Sequence, residues 1–255
     1  MTEQTPEQPE LVHYEVAGPV ATITLDSPHN RNALSRQLVT ELFGHLQTAD
    51  ADPDVRVVLV QSAGKVFCSG ADLSEATSEG MEEGARRIVE LQRLIATMGK
   101  PVVTGLHGAV RAGGIGIVAA SDIAIAAEDA TFALTEVKLG LAAAIISLTV
   151  HHRMNPRAAA LTTLGGEVFT GAEAAAYGLV TTAVPADRLD AEVERVCASL
   201  ATGAPQGLRE SKRILNRDLV DRIDAGGEEM AALSARLFGS EAAREAMTAF
   251  LNRKK

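Results

Sequence analysis

The chain has 255 residues, enough to bury a full core in one domain, with 46% hydrophobic and 22% charged residues. Its net charge of −9 and 3% aromatic content exclude nucleic acid or an anionic membrane as a whole-surface partner. No apolar run reaches membrane-spanning length, the polar start lacks a secretory layout, and two distant cysteines, Cys68 and Cys197, suit a reduced, cytoplasmic setting without disulfides.

Residues 1–10 are rich in Pro, Glu and Gln and read as a flexible tail. Alternation predicts strands over 11–16 and 20–25, joined through Gly18-Pro19. Ser35 is placed to cap a helix over 36–50, whose apolar stripe is Leu38, Leu42, Phe43 and Leu46. The apolar run 55–61 reads as a strand buried on both faces. A glycine turn, Cys68-Ser69-Gly70-Ala71-Asp72, then leads toward a helix start, and a long helix over 81–98 stops at Gly99-Lys100-Pro101. A strand over 102–106 feeds a helix over 115–120 through Ala112-Gly113-Gly114. Strands over 123–127 and 131–134 follow, then helices over 142–153 and 157–164. A further helix is capped by Thr170 and stopped by Gly178 before a last strand over 180–184. Beyond Pro185 the periodicity is helical, over 188–202, 205–219 and 221–251. Strands alternating with helices and ending in a helical region describe an α/β protein. Residues 11–200 form its core and 201–255 its helical end.

Two glycine turns and one glutamate carry the chemistry. A strand entering a helix through paired glycines leaves the first N–H groups unpaired at the positive helix end, open to a ligand oxygen. Such turns also serve packing alone, so each is a donor site or a plain packing turn. Glu136 stands among apolar neighbours, and residues 139–150 carry no acidic or basic side chain. Turned inward, desolvation raises its pKa into a useful range; turned outward, it is an ordinary exposed loop carboxylate. Cys68 reads as a small buried hydrophobe rather than a nucleophile. His151 and His152 point to different helix faces and share no metal, and the sequence contains none of HExxH, CxxC or GK[ST].

Several stretches together resemble the crotonase, or enoyl-CoA hydratase/isomerase, superfamily. They are RNALS within 31–35, KVFCSGADL over 65–73, KPVVTGLHGAVRAGGIGIVAASDIAIA over 100–126, ATFALTEVKLGL over 130–141, and LGGEVFTGAEAAAYGLVTTAVP over 164–185. The resemblance implies a spiral of ββα units with a helical C-terminal trimerisation region, giving a homotrimer or a dimer of trimers. It places the two amides of an oxyanion hole on Ala71 and Gly113, polarising the thioester carbonyl of an acyl-CoA, with Glu136 as the proton-transfer group. Contacts to the acyl-CoA are implied for Arg31, Ala33, Ser69, Asp72, Leu73, Gly114 and Thr135. Phe250 and Lys254 resemble the end that reaches a neighbour's CoA. No metal or cofactor is implied beyond the CoA of the substrate.

The chain also departs from the family. Hydratases of this kind carry a second glutamate where this chain has Gly116. One retained glutamate resembles both methylglutaconyl-CoA-type hydratases and Δ3,Δ2-enoyl-CoA isomerases. Arg111 is placed either to pair with a distal carboxylate of the acyl group or to meet a CoA phosphate, another subunit or solvent. The expectation is a hydro-lyase acting on a 2-enoyl-CoA; the alternatives are the isomerase and a non-catalytic CoA-binding relative.

Overall fold

The computed structural model describes residues 9–75 and 81–252. Gly18, at φ +57°, turns the antiparallel hairpin of β1 (Val12–Ala17) and β2 (Val20–Leu25). The Ser35 hydroxyl accepts from the Leu38 amide and caps α1 (Arg36–Ala51) as expected, and the apolar stripe of α1 is buried. The pattern then repeats as strand, strand, helix. It gives β3 (Val57–Ser62), β4 (Val66–Cys68) and α2 (Met81–Thr97), then β5 (Val102–Leu106), β6 (Ala109–Arg111) and α3 (Gly113–Ala120). A third round is β7 (Ile123–Ala127), β8 (Thr131–Ala133) and α4 (Ala144–Arg153). Next come α5 (Pro156–Gly165), β9 (Phe169–Thr170), α6 (Gly171–Ala176) and β10 (Thr182–Val184). Helices α7 (Leu189–Ala201), α8 (Pro205–Leu215), α9 (Arg217–Phe238) and α10 (Glu241–Asn252) finish the chain.

Among the described residues the first strand of each round joins a sheet ordered β1-β2-β3-β5-β7-β10, parallel after the opening hairpin. The second strands form another sheet, β4-β6-β8-β9. Two sheets growing side by side make the α/β spiral that the sequence suggests. All five residues of β5 are buried, as a strand covered on both faces requires.

Four expectations need correction. The turn at His107-Gly108 inserts β6, so the glycine turn at 112–114 follows the second sheet rather than β5. A Cβ at Gly108 would run into the Lys65 backbone, so only glycine permits that crossing. The turn at 68–72 enters a single 3-10 turn, Leu73–Glu75, not an α-helix. The helical end breaks at Asn216 instead of Val220, because the buried Asn216 side chain donates to Ala96 O at 3.1 Å and Asp122 Oδ1 at 2.8 Å. It breaks again at Gly239-Ser240, where the Ser240 hydroxyl accepts from the Ala243 amide at the start of α10. The expected tail lies outside the described residues up to position 8.

The helical end is anchored by charge as well as apolar packing. Leu219 and Ile223 of α9 pack on Ala96 and Leu148, next to the main core. Lys212 of α8 is buried; its Nζ meets Asp122 at 2.9 Å, Ile95 O at 2.7 Å and Lys100 O at 2.9 Å. Asp122 also accepts from the Val102 amide, and Arg153 donates to Asn216 Oδ1 at 3.2 Å.

Candidate active site

The turn after β4 is held by its neighbours. The Ser69 amide donates to Arg31 O at 3.1 Å and its hydroxyl to Asn30 O at 3.0 Å. Gly70, at φ +99°, takes a conformation that side chains rarely adopt. Its carbonyl accepts from the Leu34 amide at 2.8 Å, in an isolated parallel bridge between Leu34 and Ala71. The Ala71 N–H is left without a protein acceptor among the described residues.

The second turn is tighter. Ala112 sits at φ 46°, ψ −118°, a conformation uncommon for a residue with a Cβ, and the chain then enters α3 at Gly113. The first N–H of that helix has no partner within it. The two turns touch: a Cβ on Gly70 would lie 2.9 Å from Ala112 Cβ, and one on Gly113 would lie 2.6 Å from Leu34 Cδ1. Both turns open on one cavity of about 560 Å³, whose wall includes Ala71, Gly113 and Glu136.

Glu136 begins a 3-10 turn, Glu136–Leu139, closed by Gly140 in the left-handed region. A Cβ at Gly140 would press on the α10 backbone at Ala242, so the helical end packs directly on the glutamate's loop. Burial pushes the Glu136 carboxyl up to about 7, only partly offset by its own backbone amide. Its Oε2 is buried with no hydrogen-bond partner. A carboxyl that ionises near neutrality, keeps one oxygen without a partner and belongs to a residue on the cavity wall is equipped to take and return a proton.

The structure brings some expected residues to the cavity and leaves others outside. Asp72 lines it; burial raises its pKa, but hydrogen bonds from Ser74 and Asn30 outweigh that and hold the carboxyl below its usual value. Thr135 directly precedes Glu136, and Gly114 lies behind the turn against Cys68. Arg31 and Ala33 lie on the loop that props the first turn; Arg31 is exposed and Ala33 buried. Arg111 turns away: its guanidinium donates to Val110 O, Thr131 O and Thr131 Oγ1, and burial lowers its pKa. Three of its donors are thus engaged within the second sheet, at Val110 of β6 and Thr131 of β8. The side chains of Leu73 and Phe250, and Lys254 altogether, lie outside the described residues.

At Gly116 there is no room for a second carboxylate. A Cβ there would sit 2.5 Å from Ile146 Cγ2 and 3.2 Å from Gln92 Oε1. Gln92 is itself committed, donating to Ile88 O and Ile145 O and accepting from Thr149. Ile88 of α2, within the 74–93 segment that the resemblance implies as a pocket wall, does line the cavity, whereas sequence reasoning missed Ser234 and Phe238 of α9. Their only signal is the apolar periodicity of their helix, which does not say where that face points. A larger cavity, about 780 Å³, lies between α1, α2, α8 and α9, and none of the expected site residues lines it.

Comparison with known proteins identifies a family. A family model for enoyl-CoA hydratase/isomerase matches residues 15–255. A crystal structure of an enoyl-CoA hydratase from Mycobacterium avium is 44% identical, with a TM-score of 0.91 over 96% of this chain and 98% of that one. The (E)-benzylidenesuccinyl-CoA hydratase of Thauera aromatica is 31% identical over 217 residues, covering 82% of this chain and 84% of its own. The peroxisomal Delta(3,5)-Delta(2,4)-dienoyl-CoA isomerase of Arabidopsis thaliana is 28% identical over 275 residues, covering 100% of this chain and 98% of its own.

Proposed function

The chain belongs to the enoyl-CoA hydratase/isomerase family, and from that premise we propose that it adds water to a 2-enoyl-CoA with Glu136 as its single acid–base group. The observation that carries this is the shared cavity of two unpaired amides and one buried, half-unpartnered carboxylate. The Ala71 and Gly113 N–H groups receive the thioester oxygen. Ionised Glu136 takes a proton from water as the water oxygen bonds to Cβ, and the alkene electron pair moves onto the thioester oxygen. The enolate is stabilised by fixed amide dipoles, which typically contribute about 3–4 kcal/mol per donor. As it collapses, Glu136 returns a proton to Cα, so water adds from one face. No step calls on a cofactor besides the CoA that the substrate carries.

The sealed position at Gly116 supports a second reading. Moving a double bond from C3 to C2 needs one proton carried between two carbons, and one base suffices. Purified protein decides between them. Crotonyl-CoA should lose its conjugated absorbance under the first reading. A 3-enoyl-CoA should gain conjugation, with crotonyl-CoA untouched, under the second. Turnover of neither, with tight CoA binding, leaves a non-catalytic relative.

Methylglutaconyl-CoA belongs in the same screen. With three Arg111 donors engaged in the second sheet, Arg36 and Arg87 are the cations on the cavity wall among the described residues and would receive a carboxylated acyl group there. The homotrimer, or dimer of trimers, draws support from the exposed apolar side chains of Leu161, Leu164 and Val168. Light scattering reads that directly: a monomer overturns it.

A further inference from the structure

The two turns share one side chain that the proton chemistry does not use. Cys68 closes β4, is fully buried, and pairs across to Val110 of β6. The Gly70 amide donates to its Sγ at 3.4 Å. From the other turn, Gly114 lies against the same sulfur: a Cβ there would be 2.6 Å from Cys68 Cβ and 3.0 Å from Sγ. The Gly114 backbone lies near enough to ease ionisation of the thiol alongside the Gly70 amide, and burial nonetheless holds the thiol up at about 12. The thiol is therefore neutral and unreactive at any working pH, and serves as a hydrogen-bond acceptor.

Each amide that faces the sulfur is the chain neighbour of an amide that faces the cavity: Gly70 precedes Ala71, and Gly114 follows Gly113. Ala71 and Gly113 come from different sheet-to-helix turns, and nothing in either turn alone sets their separation. We propose that Cys68 is a positioning residue for the oxyanion site, its sulfur tying the Gly70 and Gly114 amides to one acceptor so that Ala71 and Gly113 converge on one oxygen. This rests on the reading of those two amides as thioester donors. Sulfur suits the place because its radius reaches toward both turns from beneath, and the absence of a side chain at Gly114 lets that backbone approach it, while the glycine at 70 clears Ala112 of the other turn.

The test compares Cys68→Ala, which removes the acceptor, Cys68→Val, which fills the volume without one, and Cys68→Ser, which keeps a smaller acceptor. Each is assayed with crotonyl-CoA and with para-dimethylaminocinnamoyl-CoA, a probe whose absorbance moves to the red as its carbonyl is polarised. The expected result is a loss of kcat of about 10-fold in the Ala and Val variants with KM changed little, the scale of one weak hydrogen bond felt at the transition state. The red shift of bound probe should shrink in both, and Ser should recover part of each. Equal kcat and equal red shift in parent and Ala variants would overturn the role of Cys68 while leaving the oxyanion reading intact. A Val variant that fails to fold leaves the Ala and Ser pair to decide. A parent protein that binds the probe without any red shift would overturn the oxyanion reading and this role together.

Discussion

Glu136 and Lys212 are both ionisable groups taken out of water, and the protein treats them in opposite ways. Lys212 is matched by Asp122 and two backbone carbonyls; burial lowers its pKa, and Asp122 pulls it back. Glu136 keeps one oxygen with no partner, and burial, against a small opposing pull from its own backbone amide, moves its carboxyl up to about 7. A satisfied buried charge holds two parts of the fold together, whereas an unsatisfied one costs stability and remains free to react. The difference lies in what surrounds each group: a carboxylate and backbone carbonyls for Lys212, and the wall of a cavity of about 560 Å³ for Glu136.

The sharpest way to break the contrast is Glu136→Gln, which keeps shape and removes the proton. Turnover of whichever thioester the parent accepts should fall by about 10²–10⁴-fold. In the parent, kcat/KM should rise with pH through about 7 as Glu136 ionises. Stability should move the other way. With a folded-state pKa near 7 against an ordinary value of 4.5, the folded protein binds the extra proton in that window. Parent stability therefore falls as pH rises from 4.5 toward 7, by up to roughly 3 kcal/mol. Glu136→Gln should be free of that fall, so denaturant unfolding at acid and alkaline pH should show the parent losing ground to the variant.

Lys212→Ala attacks the other member of the pair. Leaving the half-buried Asp122 without its cation, though still bonded to the Val102 amide and Asn216, should cost about 3 kcal/mol in chemical unfolding. Turnover per folded molecule should change far less than in Glu136→Gln, because Lys212 does not line the cavity. A large activity loss at full stability would mean the two regions are coupled. Gly116→Ala tests the wall between them. Its Cβ would meet Ile146 at 2.5 Å, so about 1–3 kcal/mol of overpacking is expected. By the same contact Gly116→Glu should not create a working second carboxylate. The smallest effect belongs to Thr170→Ala, which removes the capping box with Glu173 at α6. It should cost about 1 kcal/mol in thermal unfolding and leave activity alone.

The capped starts at Ser35 and Thr170, the apolar strand β3, with Val57, Val58 and Val60 buried, and the break at Gly99-Lys100-Pro101 were all legible from residue type and period. The strand β6 was not, because three residues among glycines carry too little periodicity to register. The boundary at Asn216 was hidden as well: the residue breaks the helix through partners at Ala96 and Asp122, far away in the chain. For the site, the glycine turns and Glu136 stand out by residue type, whereas Ser234 and Phe238 lie a hundred residues on with no motif of their own. Arg111 shows the reverse order: its residue type draws notice first, and tertiary contacts then turn it toward its own sheet. A cation beside a glycine turn suggests a ligand, yet its partners are the Thr131 carbonyl and hydroxyl on the neighbouring strand.

The order of residues by itself determined local features: which segments form strands or helices, where glycine relieves the backbone, and which carboxylate has apolar neighbours. These depend on φ preference, side-chain period and caps, all within a few residues. Tertiary structure decided whether that carboxylate faces water or a cavity, whether the two turns touch, and whether Gly116 is an open position or a filled one. Each of those depends on distances between residues tens of positions apart, and only the packing of the two sheets and the helical end sets them.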